Sequence, residues 1–347
     1  MKPELLPLLT CPSCRDGDLT LEAQEEDALG VKTGRLACPT CRTVFPIADY
    51  VPSFLPEESG GERWREAWSY KWENVAEQVR YSPEGDEDFE RKLNFGNHFS
   101  GDFRGKWVLD AGCGSGQDAA RMASRGATVV GVDQSRGVYL AQRYNQDTPH
   151  ADRLHFVRAD LFHLPFRPEI FDAIYSNGVL HHTPDTRRAF DAIAPLLKRG
   201  GLIGVWVYDR TQYWRLFETF WRPVLSRLPR PALSAFLHAV NRPWHWIYRY
   251  RTLMMDKVNP WPESSVARHL ADLFSGGQLL YLLTDYHLHL AHRVEDPFIR
   301  HHHAFDAYSP TFAWGHDESE LFEWFKAQKI SVTAISPVRT GLIGVKD

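Results

Sequence analysis

Two stretches of the chain concentrate side chains able to do chemistry. The first is a pair of Cys-x-x-Cys motifs, Cys11-Pro12-Ser13-Cys14 and Cys38-Pro39-Thr40-Cys41, separated by 23 residues. Four thiolates on two such knuckles suit one tetrahedral zinc ion, and a closed four-thiolate shell leaves no position for a substrate, so the expected metal is structural. The second stretch is Val108-Leu109-Asp110-Ala111-Gly112-Cys113-Gly114-Ser115-Gly116, an apolar run that ends in an acid followed by a glycine at every second position. Alternate glycines remove side chains where the backbone must bend and approach a ligand, and they tolerate positive φ, so a flat cofactor can lie on such a loop. Taken alone, the loop could equally cradle a dinucleotide pyrophosphate.

The flanking pattern narrows the choice. Val129-Val130-Gly131-Val132-Asp133 ends in a carboxylate suited to accepting from two ribose hydroxyls, and the next apolar run ends in Arg158-Ala159-Asp160-Leu161. Three consecutive runs therefore carry ligand groups at one edge. A nicotinamide site would show two residues before its third glycine, whereas Gly112, Gly114 and Gly116 alternate strictly. Cys113 fills a position where a small apolar residue is sufficient and is not expected to be a nucleophile.

These residues need elements to hold them. Short apolar runs alternate with helical segments from Lys106 onward, the signature of βαβ units around a parallel sheet. Strands are expected at Trp107 to Asp110, Thr128 to Asp133, Leu154 to Ala159, Phe171 to Ser176 and Leu202 to Tyr208. A closing hairpin is expected at Ile330 to Ser336 and Thr340 to Lys346. The expected organisation is a zinc ribbon at 1–56, a helical cap at 57–101, an α/β core at 102–208 and 330–347, and a helical insertion at 209–329. The ion would replace a hydrophobic core that about 50 residues could hardly build.

At these positions the sequence resembles the class I S-adenosylmethionine-dependent methyltransferases, from about Lys106 to Tyr208 and again in the terminal hairpin. The resemblance implies a Rossmann-like seven-stranded methyltransferase sheet with a C-terminal antiparallel hairpin. It implies that Asp110, Gly112, Gly114 and Gly116 hold the methionine part of the cofactor and that Asp133, with Gln134 beside it, takes the ribose. Asp160 and the Leu161 backbone would read the adenine. The segment Ser176-Asn177-Gly178-Val179-Leu180-His181-His182-Thr183-Pro184-Asp185 is similar to the one flanking the transferable methyl group in many small-molecule methyltransferases, which places Asn177 at the cofactor and His181 and His182 as candidate bases or pocket walls. Residues 44–52, Val44-Phe45-Pro46-Ile47-Ala48-Asp49-Tyr50-Val51-Pro52, look like the ribbon of small zinc proteins that activate certain methyltransferases. Ribosomal-RNA guanine methyltransferases also place a zinc module before their catalytic domain.

The acceptor is less legible. Hydrophobic residues make up 43% of the 347, charged residues 24%, and the formal net charge is -4, which argues against a globally basic RNA binder. No apolar run approaches the roughly 20 residues that span a bilayer, so a cytoplasmic protein is the expectation. Within the insertion, however, Arg210 to Pro260 carries nine Arg or Lys against two acids, and Trp214, Phe217, Phe220, Trp221 and Val224 recur at helical spacing. Such a segment reads as a lid, as ordinary packing, as an interfacial helix touching a membrane, or as an RNA surface. Seven histidines fall between His287 and His316, including His287, His289, His292 and the run His301-His302-His303. Neighbours in a run cannot all face one ion, and packing roles are expected. Asp306, Tyr308 and His316 are weaker candidates on the approach to the pocket. The expected activity is methyl transfer to a small-molecule or lipid-like acceptor. The alternatives are an RNA methyltransferase that grips RNA with the ribbon and insertion, or a non-catalytic assembly partner.

Overall fold

The computed structural model describes residues 1–55, 63–75, 89–94, 98–99, 101, 103–211, 221–256 and 297–347. The described strands form two sheets. An antiparallel N-terminal sheet is built from β1 (Thr20–Asp27), β2 (Gly30–Ala37), β3 (Val44–Ala48) and β4 (Val51–Pro52), in that order. A seven-stranded sheet is built from β5 (Trp107–Ala111), β6 (Thr128–Asp133), β7 (Leu154–Arg158), β8 (Phe171–Asn177), β9 (Leu197–Trp206), β10 (Ile330–Ile335) and β11 (Gly341–Lys346). Its order is β10-β11-β9-β8-β5-β6-β7, parallel from β9 to β7 and antiparallel where β11 meets β9 and β10. The expected α/β class and closing hairpin are therefore present.

The central strands bury nearly every residue, as strands covered on both faces must. α2 (Gln117–Ser124) and α3 (Gly137–Asn145) turn Ala119, Met122, Val138 and Ala141 inward, and α4 (Thr186–Ile193), following α1 (Arg63–Asn74) and these two, buries Thr186, Ala189, Phe190 and Ile193 at helical spacing. The order of strands reverses at β5, whose neighbours are β6 on one side and β8 on the other. In open sheets of this kind ligands bind outside the carboxyl ends of the strands at such a reversal. The strand expected to begin at Leu202 begins at Leu197. Phe171 pairs with Leu197, and a register shift between Phe171 and Ala173 absorbs the turn-like Gly200-Gly201 as a bulge inside the strand.

The N-terminal sheet continues onto the edge of the large one. Ser53 bridges Arg158, Phe54 N–H donates to Arg158 O at 2.8 Å, Leu9 bridges Phe166, and Thr10 N–H donates to Pro165 O at 2.9 Å. Leu5, Leu9, Leu36, Phe45 and Ile47 share one buried cluster with Leu109, Val130, Val157 and Phe166. The unpaired edge of β7 is thus covered.

The chain divides into two units, residues 1–73, 80–210 and 312–347 in the first, and 74–79 with 211–311 in the second. The first includes α7 (Glu318–Ala327), closed at its N-terminus by a capping box between Asp317 and Glu320. Within the second, α5 (Arg230–Asp256) and α6 (Pro297–Tyr308) pack on each other. No helix among the described residues is long and apolar enough to cross a membrane.

Candidate active site and metal cluster

The glycine loop leaves β5 with Gly112, Gly114 and Gly116 at φ +92°, +53° and +78°. Space is as restrictive as angle. A Cβ on Gly112 would lie 2.2 Å from Val179, and one on Gly114 would lie 2.2 Å from the Trp72 ring. The Gly112 and Cys113 N–H groups donate to Val132 O at 2.8 and 3.0 Å, tying the loop to β6. Cys113 is buried, and burial pushes its thiol well above the usual range, which suits a packing role and not a nucleophile.

Three carboxylates converge around this loop. Asp110 is 3% exposed and its Oδ2 has no hydrogen-bond partner. Burial first, then Asp118 and Asp133, push its carboxyl well above the ordinary aspartate value. Asp118, in the first turn of α2, accepts from the Tyr175 hydroxyl at 2.8 Å, Asn177 Nδ2 at 3.3 Å and Arg121 at 2.9 Å. Asp133 accepts from Gly114 N–H at 3.0 Å through Oδ2 and from Ser135 N–H at 2.8 Å through Oδ1. One lone pair remains on each Asp133 oxygen, the pattern a vicinal diol needs.

The other strand ends complete the edge. Asp160 caps a short 3-10 turn by accepting from Phe162 N–H at 3.1 Å, lies 3.2 Å from His163 Nδ1 and 3.9 Å from Arg65, and precedes the buried Leu161. Gln134 and Asn177 each bury a side-chain oxygen that lacks a hydrogen-bond partner. His181 and His182 are both buried in a ring cluster. His181 stacks on Tyr208 at 3.8 Å, and His182 lies 4.9 Å from Trp68. His182 Nδ1 sits 2.8 Å from Phe312 O, which fixes the proton on Nδ1 and leaves the basic lone pair on Nε2.

The sequence pattern of residues 57–101 indicates no more than a helical cap. In the structure Ser69 Oγ accepts from Arg136 N–H at 3.0 Å, Glu73 pairs with Arg136 at 2.6 Å, and Trp72 lies against Gly114 and Gly137. α1 thus meets the loop directly. The available signal was Trp68 and Trp72 four residues apart, one helical face with Lys71 lying 4.8 and 4.5 Å over their rings. Nothing in the spacing of Asp118 reveals that it braces Tyr175 and Asn177.

At the ribbon, one ligand atom from each of Cys11, Cys14, Cys38 and Cys41 lies within 4.8 Å of all the others, a group that could hold a metal ion. Cys11 and Cys41 sulfurs are 3.6 Å apart, as are those of Cys14 and Cys38. A tetrahedron of sulfurs each about 2.3 Å from zinc has edges of about 3.8 Å, whereas a disulfide would need about 2.05 Å. The two knuckles repeat one geometry. Arg15 and Arg42 both sit at φ +62°, and their N–H groups donate back to Cys11 O and Cys38 O at 2.9 Å.

The remaining candidates scatter. Among the described residues the four cysteines are the one group of three or more metal-ligating side chains brought together. His301 and Ser234 Oγ are 3.0 Å apart between α6 and α5, and His302 and His303 stay on α6 with Asp306 and Tyr308. His316 joins Thr186 at 2.9 Å to Glu320 at 3.2 Å. His287, His289, His292, Trp214, Phe217 and Phe220 lie outside the described residues.

Two segments of the chain match known families. Residues 109–205 match the methyltransferase domain family Methyltransf_11, and residues 2–49 match the Trm112p-like protein family. The chain is 30% identical over 141 residues to the sterol 24-C-methyltransferase of Pneumocystis carinii, covering 39% of this chain and 37% of that one. It is 36% identical over 103 residues to the methyltransferase GfsG of Streptomyces halstedii, covering 29% of this chain and 37% of that protein. Among solved structures, a complex between the Haloferax volcanii Trm112 methyltransferase activator and a methyltransferase partner matches at 22% identity and TM-score 0.33, over 43% of this chain and 61% of that one. The chain spans less than half the length of the curated relatives it matches.

Proposed function

From the premise that the chain carries a methyltransferase domain at residues 109–205 behind a Trm112p-like ribbon at residues 2–49, we propose that it transfers a methyl group from S-adenosylmethionine to a small-molecule or lipid-like acceptor. The observation that carries this reading is Asp110: a buried carboxylate with an orphaned oxygen, beside two further carboxylates and at the head of a loop with no room for side chains. That arrangement fits a cationic ligand carrying an ammonium and a sulfonium, which would offset the charge that destabilises an ionised Asp110.

When bound, S-adenosylmethionine supplies an electrophilic methyl group for in-line displacement. Asp110 and the loop backbone would hold its amino-acid end, Asp133 and Gln134 its ribose, Asp160 and Leu161 its adenine, and Asn177 the approach to the methyl. Asp118 acts at one remove, fixing Asn177 and Tyr175. His182, with its proton held on Nδ1, would take a proton from the acceptor through Nε2, while His181, stacked on Tyr208, would shape the wall. The rings of Trp68, Trp206 and Tyr208 near these histidines favour an apolar acceptor, as does partial similarity to a sterol methyltransferase. The ribbon ion is proposed to be zinc with a structural role.

The test is incubation with methyl-labelled S-adenosylmethionine and fractionated cell extract. Label is expected in the organic-extractable small-molecule fraction and is expected to vanish in Asp133→Ala. Label in RNA would transfer the activity to the RNA reading, and an absence of cofactor binding would sink both.

A further inference from the structure

The second unit carries a feature that methyl transfer does not use. α5 is 27 residues long, about 40 Å at 1.5 Å per residue. Its inner face buries Leu233, Leu237 and Asn241. On a wheel of 100° per residue the opposite arc of about 120° holds Ala232, Ala235, Phe236, Ala239, Arg242 and Trp246, all exposed. Phe236 is 45% and Trp246 69% exposed. A water-facing helix arc normally carries acids and lysines, whereas this one is apolar apart from a single arginine. In the same unit Trp221, Val224 and Phe298 are also exposed.

Charge narrows what such a surface can meet. Residues 221–256 contain six arginines, no lysine or glutamate, and one acid, Asp256, at the last position of α5. Two copies of the surface would repel each other, so self-association through it is disfavoured. The helix has the length to span a bilayer, but its arginines exclude insertion, and no described helix qualifies as a span. Exposed aromatics and small apolar residues on a segment whose charged residues are arginines but for its last position match a helix lying in the plane of an anionic interface, rings in the acyl boundary and guanidinium groups on phosphate.

We propose that the outer face of α5 docks the protein on anionic lipid bilayers, with Phe236 and Trp246 inserted and Arg242 on headgroup phosphate. The proposal is independent of the acceptor reading, because it rests on the surface of the second unit alone.

The experiment is vesicle flotation of the full chain at low ionic strength, with phosphatidylcholine vesicles and with vesicles of phosphatidylcholine and phosphatidylglycerol. Binding is expected only to the anionic vesicles and is expected to weaken with salt. Phe236→Ser with Trp246→Ser, and separately Arg242→Glu, should each lower the bound fraction, the aromatic pair by at least about tenfold. Circular dichroism and S-adenosylmethionine binding should stay as in the parent chain, which separates lost docking from lost folding. Equal flotation of parent and aromatic variant, or no flotation of the parent, overturns the proposal. So does tight single-stranded RNA binding that Arg242→Glu abolishes while the parent chain ignores vesicles.

Discussion

Four thiols at the ribbon and three carboxylates at the glycine loop each crowd groups that, once ionised, repel one another, and the chain completes the two clusters differently. The sulfurs sit in pairs 3.6 Å apart on two knuckles of the same shape, close to the edges of a zinc tetrahedron. One ion would satisfy all four and leave nothing open. The carboxylates are spread over two strand ends and a helix. Asp118 and Asp133 have partners from the chain, and only Asp110 keeps an oxygen unpaired. A closed cluster suits a permanent ion and a partly satisfied one suits a ligand that comes and goes.

Removing the metal should give the largest effect. The ribbon shares its core with the edge of β7, and Phe54 and Ser53 hold Arg158, two residues before Asp160. Chelation, or Cys38→Ser, is expected to lower Tm by about 10–20 °C, since structural zinc binding is worth about 10 kcal/mol or more, of which part is shared with the sheet. It should also weaken S-adenosylmethionine binding through Asp160. A chelated protein with unchanged melting and no released zinc would remove the distinction between the clusters. The next effect is at the open cluster. Asp110→Asn should weaken cofactor binding about 30- to 100-fold, measured by calorimetry, without lowering the Tm of the cofactor-free protein. The sign follows from linkage. A carboxyl raised by burial contributes full stability only below its unfolded value of about 3.9 and loses it as pH rises through the folded value, so at neutral pH a neutral amide carries no such penalty. A large fall in Tm would mean that Asp110 is structural.

The closed cluster was fully legible in the sequence because two Cys-x-x-Cys pairs encode geometry in local spacing. The open one was legible only in part. Asp110, Asp133 and Asp160 stand out because each closes an apolar run and the glycines because they alternate, and β5, β6, β7 and β8 form within about a residue of where the sequence pattern places them. Contacts between elements distant in sequence left no such trace. Trp72 lies 42 positions before Gly114, and its approach depends on how α1 docks. The early start of β9 likewise depends on pairing with β8 across a bulge, which overrides the turn signal of Gly200-Gly201.

A smaller effect tests how tightly the open cluster is built. Gly114 combines φ +53° with the Trp72 contact. Gly114→Ala should cost about 1–2 kcal/mol from the left-handed backbone alone, with a further loss from displaced Trp72. Adding Trp72→Ala should restore only the second part. Additive melting shifts for the two substitutions would show that the indole does not press on the loop.

The smallest effect lies where the closed cluster's sheet meets β7. His155 is 3% exposed, its ring nitrogens have no hydrogen-bond partner, and burial, aided by the Lys2 charge, lowers its pKa to about 3. Lys2 belongs to the ribbon side and donates to Leu154 O at 2.7 Å. A histidine held neutral in the folded state contributes full stability above its unfolded value of about 6.5 and loses it as pH falls toward about 3. One pH unit below 6.5 therefore costs about 1.4 kcal/mol. Denaturant melts at pH 7.5 and 5.5 should show that loss in the parent chain and not in His155→Leu. Chelation supplies the sharper comparison, because a ribbon without its ion no longer presses Lys2 and its neighbours over β7. Exposed to water, His155 would titrate at its ordinary value in both states, and its share of the pH dependence should disappear with the metal while the response of Asp110 remains.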